Sequence, residues 1–302
     1  MKKIILILQT IRIITKKKQI AITVLSLLIS INLNAQNMSS FYFNINSANN
    51  LAKSGKVDSA ILKYENAFKK VQYVPVTYLR KVLKLSKLTN DKERIIHYSK
   101  RIKVQNKGTN PRIKATIDSL IKVDQKVRKG KSVRISTYSW KCDKDPECNK
   151  QSEKYIKSKR AIEKWKKTDS LNTYFLLNLF EKHGFIGEEL VGFRRYNDVI
   201  VILLHFDADT SNTVLEPVLT KALDEGKIMP IDFAQILDRH LSGDHTKQKY
   251  WLWPDANKEK YPFTENEIPQ ILKSRENIGI YGSGLKQEKR GNHWFIINTN
   301  VY

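Results

Sequence analysis

Apolar residues recur at helical spacing along most of the chain, starting with two paired segments between Phe41 and Lys103. Ala48, Leu51, Ala60, Ile61, Tyr64, Ala67 and Phe68 form the first set about a turn at Ser54-Gly55-Lys56. A second hairpin is predicted over Tyr78–Leu88 and Glu93–Lys103, turning at Thr89-Asn90-Asp91. The breaker cluster 106–111 reads as a linker. Beyond it the periodicity predicts helices over Ile113–Arg128 and Ser152–Lys167, and another opened by Asp169-Ser170 and running over Leu171–Lys182. Tyr196–Phe206 is almost wholly apolar and fits a buried strand or a buried helix; its helical neighbours favour the helix. Leu215–Ala222 and Phe233–Leu241, the latter capped by Asp232, follow, and Ile268–Leu272 suggests a short helix. Only Ile278–Tyr281 and Trp294–Ile297 read as strands, a small C-terminal hairpin on an otherwise all-α protein.

The run Ala48-x-x-Leu51-x-x-x-Gly55-x-x-x-x-Ala60-x-x-x-Tyr64-x-x-Ala67 resembles a tetratricopeptide repeat, whose small residues let the two helices of a hairpin pack closely. The second hairpin matches only loosely. Residues 36–108 are therefore expected to form tetratricopeptide-like hairpins, 112–255 a helical domain, and 256–302 a C-terminal extension.

Residues 1–35 read as an export signal. Lys16-Lys17-Lys18 precede the apolar run 20–31, which ends at Asn32-Leu33-Asn34-Ala35. The run is short for a membrane span, so cleavage after Ala35 is expected, with an uncleaved anchor as the alternative. A periplasmic or secreted location makes a disulfide between Cys142 and Cys148 the expected fate of the two cysteines. Their separation fits no common redox or zinc spacing.

The 302 residues include 54 Lys and Arg against 30 Asp and Glu. Residues 36–170 hold 33 basic and 12 acidic side chains, whereas 171–302 hold 15 and 18, so the physical character changes near Asp169. An anionic surface or polysaccharide would suit the first half. The lysines are nevertheless spread over several segments, which favours a solvated surface over one compact patch, and nucleic acid is not the expected partner.

Asp124-Gln125-x-x-Arg128, Asp169-x-x-Asn172, Gly192, His205-x-Asp207, Leu215-Glu-Pro217, Asp238-Arg239 and Gln248-x-Tyr250 follow one another in an order that resembles a bacterial family catalogued as domain of unknown function 6624. The resemblance covers about half the chain and departs from the family at Phe185 and Trp251. It implies a domain boundary and a set of polar positions, not a reaction.

No nucleophile elbow, P-loop, His-Glu-x-x-His or dinucleotide fingerprint is present. His240 and His245 lie near Asp238 and Asp244, but their spacing puts them on different elements, and neither a metal nor a cofactor is expected. The expected function is a protein- or ligand-binding scaffold using the helical hairpins. The alternative is an enzyme, such as a hydrolase of an anionic substrate, with His205, Asp207, Asp238 and Arg239 as catalytic candidates. Asp124, Gln125, Arg128, Asn172, Gln248 and Tyr250 are then the ligand-binding candidates. His205 would move a proton, and Arg128 or Arg239 would hold the anion. Asp124, Arg128, His205, Asp207, Asp238 and Arg239 are expected on one side of the domain, either as a site or as ion pairs locking helices together.

Overall fold

Gly55, at φ +77°, ends a first helix, α1 (38–53), and lets the chain reverse into α2 (Val57–Phe68). The computed structural model describes residues 38–129, 138–206, 213–241, 248–252, 265–290 and 293–299, and helix dominates them, as the periodicity predicts. The export signal lies outside the described residues. Among those residues no helix is long and apolar enough to cross a membrane.

Phe41, Ile45 and Ala48 of α1 pack with Ile61, Tyr64 and Ala67 of α2 in a buried cluster. The Tyr64 hydroxyl donates to Asn49 Oδ1 at 2.5 Å, which satisfies the ring's polar end inside that cluster. Helices α3 (Val76–Leu88) and α4 (Lys92–Gln105) add Leu79, Val82 and Tyr98. Asp91 caps α4 by accepting from Arg94 N, and Glu65 of α2 receives both Arg94 and the Tyr98 hydroxyl, tying the second hairpin to the first.

The stretch expected to be a linker is a packed crossing. Thr109 N and Asn110 N both donate to the carbonyl of Leu190. Gly108 and Gly192, both at positive φ, pass so close that a Cβ on Gly108 would sit 2.5 Å from Leu190 O, and one on Gly192 2.3 Å from Asn106 O. Asn110 then caps α5 (Pro111–Val127), with Pro111 in its first turn.

The short helix α6 (138–143) carries Cys142, which is disulfide-bonded to Cys148 as the spacing and compartment predict. Two helices were expected between Ser152 and Lys182. The chain instead forms one 31-residue helix, α7 (Glu153–His183), capped by Ser152. Asp169 does not cap anything: no Gly or Pro interrupts 153–183, so the helix continues through it. The change in charge at Asp169 falls within this helix. Its first half is mostly exposed, whereas Asp169, Asn172, Thr173, Leu176 and Phe180 form a buried stripe in its second half.

Helices α8 (Glu188–Val191), α9 (Phe193–Leu204), α10 (Leu215–Asp224) and α11 (Pro230–Leu241) complete the second unit. Asp232 lies inside α11, not at its cap, and accepts the Tyr196 hydroxyl at 2.6 Å. A continuous core joins Ile117, Leu176, Tyr196, Ile202, Leu219, Ile236 and Leu237. The C-terminal segment forms α12 (Ile268–Asn277) and an antiparallel hairpin of β1 (Gly284–Arg290) and β2 (His293–Thr299), with Gly284 opposite Thr299. The first strand was expected at Ile278–Tyr281. Those residues instead connect α12 to β1: Ile278 and Ile280 join the second core, and Tyr281 packs on the first.

The two units meet through a buried carboxylate. Glu188 Oε1 accepts Val76 N at 2.8 Å and the Tyr73 hydroxyl at 2.9 Å, so α8 caps the start of α3. Arg80 lies 4.4 Å from the centroid of the Phe193 ring at the same junction. Glu188→Ala leaves two donors unanswered and is expected to lower unfolding free energy by about 2 kcal/mol in urea titrations. Glu188→Gln, which retains an acceptor, should lose less.

Candidate functional site

The apolar stripe of α5 ends in a charge. Ile113, Ile117 and Asp124 are its buried residues, so the spacing that seals the core carries a carboxylate into it. Asp124 has no exposed surface and must be paired. Three groups meet it: Arg128 Nη1, one turn on, donates to Oδ1 at 2.7 Å, His205 Nδ1 donates to the same oxygen at 3.0 Å, and Gln125 Nε2 donates to Oδ2 at 2.8 Å. The other arm of the guanidinium, Nη2, lies 2.6 Å from both carboxylate oxygens of Asp169 on α7. Trp165, one turn before Asp169, donates its indole N–H to Val127 O at 2.6 Å and places its ring 5.6 Å from the guanidinium. Three helices, α5, α7 and the C-terminal end of α9, are thus joined by one network of charges.

Burial pushes the Asp124 carboxyl up, but the bond and charge of His205, with Arg128 and Gln125, more than offset it and hold the group below the usual carboxylate range. Burial wins at Asp169, whose carboxyl is raised in spite of Arg128. Since an ionised Asp124 can only accept, the His205 proton sits on Nδ1, which leaves Nε2 for another partner. The His205 side chain is 29% exposed, so the imidazole stands between the buried network and solvent.

Asp124, Asp169 and His205 each offer a ligand atom within 4.8 Å of the others, close enough to hold a cation. Arg128 already supplies positive charge between the two carboxylates, so this donor set is satisfied without a metal. On the Asp169 stripe, Asn172 Nδ2 and Thr173 Oγ1 are buried with no hydrogen-bond partner among the described residues.

Of the sequence candidates, Asp124, Gln125, Arg128 and His205 are brought together, with Asn172 one turn from Asp169 on α7. Asp207 and His245 lie outside the described residues. Asp238 does not join the cluster. Fully buried on α11, it accepts the backbone N–H groups of Lys249, Tyr250 and Leu252 at 2.9, 3.0 and 2.8 Å. Arg275, equally buried, donates from the opposite side to the carbonyls of Tyr250 and Trp251. The one-sided network expected to include Asp238 is therefore divided, because its oxygens are taken by the 249–252 backbone. Arg239 is half-buried on the same helix. Tyr250 packs against Phe233 in the core, and Gln248 is buried with Oε1 unpartnered. His240 is buried against Phe206, its Nε2 3.1 Å from Leu203 O.

Asp169 and Trp165 are the residues that sequence reasoning left out of the site. Asp169 is an acidic residue at i−3 and i−7 from Asn172 and Leu176, and that buried-stripe position is the signal that marks it.

No family model matches the chain, and no curated protein or solved structure does either.

Two outcomes test this arrangement. Arg128→Ala leaves two buried carboxylates without their cation and should cost about 3 kcal/mol, measured by chemical denaturation, with part of the loss recovered when Asp169→Asn is added. Burial raises Asp238 to about 6 against the pull of its three N–H donors and Arg275. It binds its proton more tightly folded than unfolded, so its contribution to stability is fully present below about pH 4 and is lost as pH rises through about 6. A carboxyl ¹³C titration should place its midpoint near 6; a midpoint near 4 would refute the assignment.

Proposed function

We propose that the helical domain carries an acid–base site in which His205 accepts and returns a proton, oriented by Asp124, as in a hydrolase. The observation that carries this reading is the bond from His205 Nδ1 to a carboxylate with no solvent access, which is itself fixed by Arg128 and Gln125. A buried carboxylate on one ring nitrogen sets the tautomer and stabilises the imidazolium formed when the other nitrogen takes a proton. Nε2 would take that proton from an attacking water and deliver it to the leaving group. Asp169 and Arg128 act at one remove, as positioning residues.

The reading extends to the rest of the chain. The basic and apolar segments before Ala35, together with the Cys142–Cys148 bridge, support export, and the order of polar motifs supports kinship with domain of unknown function 6624. A scaffold role for the tetratricopeptide-like hairpins is favoured by a different observation: a cleft of about 410 Å³ between α1, α3 and the start of α11, lined by Tyr42, Asn46, Tyr78, Lys81 and Asp232. Clefts of this kind between structural units are common binding places.

Imidazole ¹⁵N spectra should show neutral His205 with its proton on Nδ1, a preference abolished by Asp124→Asn. In a panel of ester, phosphoester, amide and glycoside substrates, any turnover should fall at least about 100-fold in His205→Gln with the melting temperature unchanged. An Nε2–H tautomer, or a rate that survives the substitution, would overturn the proposal.

A further inference from the structure

One of the two anion-binding candidates from the sequence, Arg128, is engaged on both arms by Asp124 and Asp169. Cations without such engagement lie on the neighbouring face of the same helix. A groove of about 580 Å³ runs between α5 and α9; Lys122 and Lys126 line it from α5 and Lys129 from just beyond the helix end, with Arg194 on α9. All four are exposed, and none makes an ion pair within 4 Å among the described residues. Arg195 differs: its guanidinium is held by Asp118 and Asp198, so it shapes the wall instead of offering charge.

Helix geometry leads this groove to the proposed site. Arg194, Asp198, Val201 and His205 stand at i, i+4, i+7 and i+11, one face of α9 carried through its C-cap. Lys122, Gln125 and Lys126 stand at i, i+3 and i+4 on α5, and Gln125 both lines the groove and donates to Asp124 Oδ2. Among the described residues no aromatic ring lines the groove, so they offer nothing for a base or a sugar face to stack on. Its only strong feature is positive charge around a concavity, where low-dielectric walls focus the field.

We propose that this groove binds an oxyanion-bearing ligand, phosphate or carboxylate, and places it beside His205. The placement rests on the acid–base reading of His205; the anion binding does not.

The test is calorimetric titration of the full chain with inorganic pyrophosphate and, separately, with tricarballylate at low salt. A groove variant, Lys122→Gln/Lys126→Gln/Arg194→Gln, is compared with a control that removes equal charge from the hairpins, Lys69→Gln/Lys87→Gln/Lys100→Gln. The groove variant should weaken binding at least about tenfold and the control less than twofold, because only groove cations form charge-assisted bonds to the probe. The probe more sensitive to the groove variant identifies the oxyanion. Equal losses in both variants, or no binding of either probe to the unsubstituted chain, would overturn the proposal. His205→Gln removes the acid–base group and keeps every groove cation. If that variant also leaves turnover intact while groove-dependent binding persists, the acid–base reading falls and the anion site stands.

Discussion

Two buried aspartates, one guanidinium and one imidazole tie three helices of the second unit together. Asp124 and Asp169 enter the core from different helices, and one guanidinium answers both. Removing carboxylates from solvent costs several kcal/mol each unless a cation and hydrogen bonds replace the lost hydration. Arg128 meets that demand with a rigid fork whose arms point to the two acids, a geometry that lysine could not supply. The spacing of α5 and α7 is therefore tied to the size of a guanidinium. Trp165 closes over it and bonds the last turn of α5, which keeps the fork aimed.

A second buried carboxylate does a different task with the same chemistry. Asp238 and Arg275 hold the short segment 249–252 from opposite sides, one taking its N–H groups and the other giving to its carbonyls. Trp251 adopts φ +52° there, a conformation uncommon for a bulky residue, and the surrounding bonds keep it in place. It is the contrast with His205 that separates the two buried acids: one orients a group that still faces solvent, the other is closed on itself.

Helical periodicity in the sequence was sufficient to read the all-α class, the two N-terminal hairpins, α5 and the buried helix α9. It failed where local signals conflict with continuity. Asp169-Ser170 has the chemistry of a cap, yet without a breaker the helix ran on, and the acid was turned inward. Ile278–Tyr281 has strand-forming residues, but packing on both cores drew it into a connection. Asp124, Arg128 and His205 could be placed together because each sits at the edge of an apolar stripe. Asp238 sits at such an edge too. What distinguishes it is a backbone segment 11 to 14 residues away, and no periodicity encodes that contact. The groove was illegible for the opposite reason: its lysines look like any solvated helix face until α9 brings Arg194 across from them.

The two features of α5 then belong to one electrostatic design. Its inner face carries Asp124, its outer face carries Lys122 and Lys126, and the helix backbone separates them. Arg128 offsets one of the two buried negative charges, which leaves the network one positive charge short of neutrality. His205 Nδ1 faces that negative charge and adds one more N–H donor to Asp124. Carboxylates within, cations around the groove and an imidazole one turn beyond Val201 are the features on which the proposed anion site rests.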